Sequence, residues 1–183
     1  MTKTQNLVWI DLEMTGLNPD KDKILEVGMI ITDGKLKHIG DSANLIIHQS
    51  KNIINKMSRW CKKHHKDSDL IEKVQASKVS VKAAEGILLE IIKKYCQRNK
   101  CFLAGNSVYV DRMFLKKYMP KIIKFLHYRL IDVSSIKVLA LKWYPDLEKE
   151  IDEIKGKKTH RSLDDIRKSI DELKFYRKKI FID

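Results

Sequence analysis

Residues 7–19 read LVWIDLEMTGLNP. Leu7-Val8-Trp9-Ile10 is an unbroken apolar run of β-favouring residues, as expected for a strand covered on both faces and therefore central in its sheet. From Ile10 the pattern alternates, with Ile10, Leu12 and Met14 on one side and Asp11 and Glu13 on the other. Same-side neighbours on a strand stand roughly 6–7 Å apart, so the two carboxylates lie side by side next to an apolar core. Like charges so placed raise each other's pKa unless a cation sits between them. A hard divalent ion such as Mg²⁺ or Mn²⁺ suits an all-oxygen donor set. Taken alone, however, D-x-E on an alternating strand is more often a solvated face.

The flanking sequence places this strand in a mixed α/β fold. Residues 23–32, KILEVGMIIT, form a second strand that runs into Asp33-Gly34, a hairpin signal; KLKHIG and then ANLIIHQ follow. This reads as a three-stranded antiparallel meander at the N-terminus. Downstream, SVKAAEGILLEIIKKYC carries apolar residues at 81, 84, 87, 88, 91, 92 and 95, a helical stripe with Ser80 as its cap. CFLAGN is a short strand, VDRMFLKKYM a helix stopped by Pro120, YRLID another strand leading into SSIKVLALKWY, and SLDDIRKSIDELKFY an amphipathic C-terminal helix. PDLEKEIDEIKGKK reads as a long surface loop. Strands in a meander followed by strands alternating with helices imply an α/β fold with a mixed sheet flanked by helices, in one domain spanning 1–183.

Composition narrows the class. The 183 residues include 37 Lys+Arg against 24 Asp+Glu, a net charge of +13. Such a surplus suits polyanionic partners, although Lys and Ile are abundant throughout and compositional drift would raise the charge equally. Cys61, Cys96 and Cys101 are odd in number and lack C-x-x-C spacing, which points to reduced thiols rather than a disulfide framework or a zinc site. MTKTQN is not a signal peptide, and no run of about 18 apolar residues occurs, so a cytoplasmic protein without a membrane span is expected.

Further polar residues stand where strands give way to helices, the usual ligand position in α/β sheets. Asp111 lies in LAGNSVYVDRMFL at the start of a helix, where alone it is an ordinary first-turn acid. His160 stands five residues before Asp165 in HRSLDDIR, and alone is an ordinary loop histidine. At about 100° per residue, Asp164 and Asp165 both project well away from the apolar stripe of Leu163, Ile166, Ile170 and Leu173. Taken together, D-x-E on the first strand, an Asp after G-N-S, and H-x-x-x-x-D near the C-terminus resemble the histidine-containing subclass of the DEDD exonucleases. The resemblance runs through WIDLEMTGL, AGNSVYVDRMFLKKYMP, HYRLIDVSSIK and HRSLDDIRKSIDELKFYR, nearly the whole chain.

The resemblance implies an RNase H-like sheet that gathers Asp11, Glu13, Asp111 and Asp165 around two divalent ions, Mg²⁺ or Mn²⁺, with motif spacing selecting Asp165 over Asp164. One ion would lower the pKa of the attacking water and the other stabilise the leaving 3′ oxygen. His160 would be the general base, its ordinary pKa near 6.5 suiting work at neutrality. Ser162 departs from the pattern, which commonly has Ala there. By the same resemblance Leu17 is a wedge against a base and Trp60 a stacking partner, roles that suit a sequence-tolerant enzyme. Read from the chain alone, Leu17 anchors a turn and Trp60 is core. Ser107, Arg129 and Ser134 match residues that cap a 5′ phosphate, Tyr128 a tyrosine lent by a second subunit of a homodimer, and His65 a histidine that approaches substrate. The implied activity is 3′→5′ hydrolysis of very short 5′-phosphorylated RNA, especially dinucleotides, to mononucleotides. A relative acting on long strands and a basic RNA-binding module on the same fold are the competing readings.

Overall fold

The structure is a computed structural model that describes residues 6–58, 61–62, 69–155 and 161–181. β1 (Leu7–Met14) pairs antiparallel with β2 (Ile24–Thr32), which pairs antiparallel with β3 (Ala43–Ile46). On its other edge β1 runs parallel to β4 (Phe102–Gly105), and β4 parallel to β5 (Leu130–Asp132). The order is β3-β2-β1-β4-β5, so β1 is the central strand of a mixed sheet. The meander is present, but KLKHIG is not one of its strands. Asp33 Oδ1 accepts from the amides of Lys35 and Lys37, Leu36 turns through φ +67°, and only an isolated Thr32–His38 bridge forms before β3. Local Asx bonding here replaces the tight two-residue hairpin that Asp-Gly suggests.

Alternation along β1 sorts the two faces. Val8, Ile10 and Leu12 join the core beneath α3 (Val81–Tyr95), α4 (Val108–Tyr118) and α5 (Pro120–Phe125), with Leu88, Ile92, Phe114 and Ile122 fully buried. Leu7 and Trp9 join the opposite core beneath α6 (Val133–Trp143), α7 (Glu148–Lys155) and α8 (Ser162–Lys179), where Ile166, Ile170, Leu173 and Tyr176 pack. Two short helices, α1 (Lys51–Asn55) and α2 (Leu70–Ala76), cover the β3 side around Leu25, Ile54 and Val74. Ser80 caps α3 as expected, its hydroxyl accepting from the amide of Ala83. Pro120 ends α4 and also occupies the first turn of α5, where its missing N–H costs nothing.

One expectation is overturned. As far as Lys155, the stretch read as a long loop after Tyr144 forms a 3-10 turn, Pro145–Leu147, and then α7; its residues 156–158 lie outside the described residues. Its charged residues from Glu148 to Glu153 are exposed and Lys179 bridges to Glu150 at 2.8 Å, while Ile151 is fully buried against the α8 core. A few apolar residues at helical spacing outweigh a charged composition once a neighbouring core receives them. The three cysteines are buried thiols, none in a disulfide, and Cys96 hydrogen-bonds to Cys101. No helix among the described residues is long and apolar enough to cross a membrane.

Candidate active site

Asp11 and Glu13 continue the face on which Trp9 is buried, but at their level the apolar cover of α8 gives way to its first turn. Gly28, opposite Asp11 on β2, allows this approach: a Cβ there would lie 2.6 Å from Ser162 Oγ. Ser162 itself is fully buried, its hydroxyl donating to Asn44 Oδ1 at 3.4 Å, so the hydroxyl at this departure from the family pattern has a partner. With the helix start held against the sheet, Asp165 meets the strand carboxylates. One oxygen each of Asp11, Glu13 and Asp165 lies within 4.8 Å of the others. Asp164, one residue earlier, instead pairs outward with Arg167 at 2.9 Å. Past Glu13 the β1–β2 register slips by a residue, a bulge of the kind that re-aims strand ends beside functional sites.

Asp111 arrives from the other side of β1. β4 stops pairing with β1 at Ala104 opposite Trp9, so the end of β1 runs on without that neighbour, and the amide of Leu12 donates to Asp111 Oδ1 at 3.0 Å. Asp111 sits in the first turn of α4 and is buried. Burial pushes its carboxyl up to about 8, opposed by hydrogen bonds from the amides of Leu12 and Asp111 and reinforced by Glu13 and Asp132. Burial likewise raises Asp11 well above the usual carboxylate range, with Asp111, Glu13, Asp165 and Glu26 each adding to the rise. Among the described residues Lys168 approaches this cluster as a cation, 3.7 Å from Asp165 Oδ1. Converging, mutually repelling carboxylates of this kind fit hard divalent cations, whose charge would return these acids to their ionised forms.

Ser107 and Ser134 also come together. Asp132, at the end of β5, caps α6 by accepting from the Ser134 amide at 3.0 Å and the Ser134 hydroxyl at 2.6 Å, and also accepts from the Ser107 amide at 2.9 Å. The two serine hydroxyl oxygens are 3.4 Å apart. Asp132 was passed over in the sequence because YRLID reads simply as a strand; an acid just ahead of a helical run is its only signal. Leu17 is 71% exposed at the tip of a loop held by Asp22, which accepts from the Thr15 hydroxyl and the Asn18 amide, so Leu17 is not the turn's anchor. Tyr128 is 68% exposed and stacks on His127 at 4.5 Å, with the Arg129 guanidinium 5.4 Å from its ring. Trp60, His65 and His160 lie outside the described residues.

Glu26 was also missed. Opposite Glu13 on β2 and fully buried, it has no hydrogen bond to either oxygen among the described residues; Arg161 Nη2 stands 3.6 Å from its Oε1. The sequence signal was there, an acid inside an otherwise apolar nine-residue strand.

Comparison with known proteins first assigns a class: residues 8–173 match the family model RNase_T, described as exonuclease. The fold agrees. The chain superposes on exonuclease I from Methylocaldum szegediense with a TM-score of 0.70 at 16% identity, covering 96% of this chain and 41% of that one. A zinc-bound complex of E. coli exonuclease I with single-stranded DNA gives 0.74 at 12% identity, again over 41% of the longer protein. Both carry the same mixed α/β, RNase H-like architecture. Much nearer in sequence are the oligoribonuclease of Francisella tularensis subsp. novicida, 47% identical over 98% of each chain, and that of Arabidopsis thaliana, 48% identical over 97% of this chain and 79% of its own. The chain belongs to the oligoribonuclease family of exonucleases.

Proposed function

We propose that the protein is a metal-dependent 3′→5′ exoribonuclease that hydrolyses very short 5′-phosphorylated RNAs, dinucleotides above all, to nucleoside 5′-monophosphates. The observation that carries the reading is the meeting of Asp11, Glu13 and Asp165 within 4.8 Å, a cluster fitted to divalent cations at the end of the central strand. Asp11, Glu13, Asp111 and Asp165 would hold two Mg²⁺ or Mn²⁺ ions. When bound, such ions supply Lewis acidity, easing deprotonation of the attacking water and offsetting charge on the leaving 3′ oxygen.

The protein's own groups do the rest. His160 accepts the proton of the attacking water, and Leu17, already exposed, wedges against a base that Trp60 stacks upon from the other side. Ser107 and Ser134 present adjoining hydroxyls to the 5′ phosphate and Arg129 adds a charged donor. Tyr128, exposed on one subunit, completes the site of a partner in a homodimer, and His65 approaches the same substrate. With the phosphate held at one end and the scissile bond at the other, the separation of the two sets the number of nucleotides that fit.

Competition binding of a 5′-phosphorylated dinucleotide against a decanucleotide at two salt concentrations tests this reading. Losing one charge-assisted phosphate contact costs about 1.5–3 kcal/mol, so RNA too long to use the cap should bind at least tenfold more weakly. Arg129→Ala should erase most of that advantage. Tighter, strongly salt-sensitive binding of the decanucleotide would instead support an enzyme of long strands, whose affinity grows with the phosphates contacted.

A further inference from the structure

Asn106 lies between Gly105, the last residue of β4, and Ser107, whose φ of +52° is a left-handed conformation that a non-glycine residue adopts only when its surroundings hold it there. Asn106 Nδ2 donates both to Ser169 Oγ at 3.0 Å and to Glu172 Oε2 at 2.9 Å. The other oxygen of Glu172 accepts from Tyr176 OH at 2.7 Å. Ser169 in turn donates to the backbone oxygen of Asp165 at 2.8 Å. Ser169, Glu172 and Tyr176 are all buried and all belong to α8. One side-chain amide therefore ties the loop that carries Ser107 to the helix that carries Asp165.

The chemistry of this junction exceeds what packing requires. Burying a carboxylate against two neutral donors costs more desolvation than an apolar contact of the same size. What it adds is direction, since two acceptor oxygens fixed by Tyr176 and Asn106 leave the amide one orientation and the following residue one position. We propose that Asn106 and Glu172 are positioning residues, a clamp that fixes the separation between the 5′-phosphate cap and the carboxylate cluster and so sets the length of RNA preferred. The proposal rests on the capped, short-substrate reading of the same site. The clamp acts through Ser107, which it holds at a set distance from α8 as its anchor.

The test measures kcat/KM for a 5′-phosphorylated diribonucleotide and for a 5′-phosphorylated tetraribonucleotide. Asn106→Asp sets a carboxylate against Glu172 and should cut the dinucleotide value by about 10- to 100-fold, the usual effect of losing a group that orients a site residue. Tetranucleotide turnover, which forgoes the cap, should change by no more than about twofold under the same reasoning. The double variant Asn106→Asp/Glu172→Gln lets amide and acid trade places and should recover the dinucleotide preference. Glu172→Gln alone should keep it, because the amide can turn its oxygen to Asn106 and donate to the Tyr176 oxygen. Were Asn106→Asp not to fold by circular dichroism, Asn106→Ala, at a half-buried position, carries the same expectation. Equal losses on both substrates with no recovery in the double variant would reduce the pair to a fold support and overturn the clamp. A wild-type preference that survives substitution of Asn106 overturns the clamp alone; a wild-type enzyme without that preference overturns the short-substrate reading and the clamp with it.

Discussion

Replacing Asp111 by Asn should stabilise the metal-free protein while disabling it. Asp111 is buried, and its carboxyl titrates at about 8 against 3.8 for an ordinary aspartate, burial being the principal cause. Between those two values the folded chain holds a proton that the unfolded chain has released. The native state therefore binds more protons than the unfolded one, and unfolding free energy falls as pH rises through that window. One such group contributes a slope of at most about 1.4 kcal/mol per pH unit, or roughly 3–6 °C per unit in a domain of this size. The substituted amide would keep an oxygen to accept from the Leu12 amide but would not ionise. In excess chelator, Asp111→Asn should match the wild type near pH 4 and melt progressively higher above it, by an amount on the order of 10 °C at pH 8. Titrating groups away from the cluster are common to both proteins and cancel in the difference, while Asp11, which Asp111 helps to raise, is relieved in the variant and adds to the gain. Adding Mg²⁺ or Mn²⁺ should raise the wild-type melting temperature most at pH 8 and the variant's little. Parallel melting profiles, or a variant less stable than wild type at pH 8 in chelator, would refute the electrostatic account of the site.

Excess EDTA should abolish turnover and added Mg²⁺ or Mn²⁺ restore it; undiminished hydrolysis in chelator rules out the metal mechanism. His160→Ala should lower kcat by about 10²–10⁴-fold while RNA binding persists, and wild-type turnover under chemistry-limited conditions would remove His160 as the base. Mixing inactive Tyr128→Ala and Asp111→Asn chains should regenerate activity in heterodimers, whereas a solution mass of one 21.5 kDa chain at assay concentration counts against a shared site. Arg161→Ala takes the neighbouring cation from the buried Glu26 and should cost about 1–3 kcal/mol in urea unfolding. The loss should shrink when Glu26 is already Gln, and strict additivity of the two substitutions would show that the pair is not coupled.

The central strand and its carboxylates were legible because a single strand had to satisfy two requirements at once. Trp9 and Asp11 share a face, so the switch from apolar to acidic along LVWIDLE marks where the cover of α8 ends. Ser80 and Asp111 were legible for a related reason, since helix starts demand acceptors whatever the tertiary context. Tertiary context decided the rest. Whether PDLEKEIDEIKGKK is loop or helix depended on an α8 core waiting for Ile151, and whether Asp-Gly closes a tight hairpin depended on where Asp33 directed its carboxylate. Asp164 and Asp165 could not be separated by helix geometry; Gly28 resolves them by letting the helix start so near the sheet that Asp165 joins the strand acids. Glu26 and Asp132 went unremarked because each sits in a segment whose strand character accounted for it, and their neighbours across the sheet are distant in sequence.

The surplus of positive charge has an outlet in the fold that needs no long polyanion. Lys93 and Lys94 stand in the last turn of α3, Lys116 and Lys117 in that of α4, Lys124 in α5, Lys142 in α6, and Arg177, Lys178 and Lys179 in α8. Cations there offset the partial negative charge of the exposed carbonyls. Others pair with acids on scattered surfaces, Lys94 with Asp41, Lys117 with Asp20 and Lys174 with Asp171. A groove that tracks a long strand needs its cations in one stripe along the bound backbone. The two uses separate under salt. Charges at helix ends affect stability and leave the salt dependence of binding to the few groups that touch a short substrate. The dinucleotide should accordingly show a shallow dependence of log affinity on log salt, with a slope near that of one or two phosphates, about −0.7 for each. A slope several times steeper would assign the surplus to RNA after all.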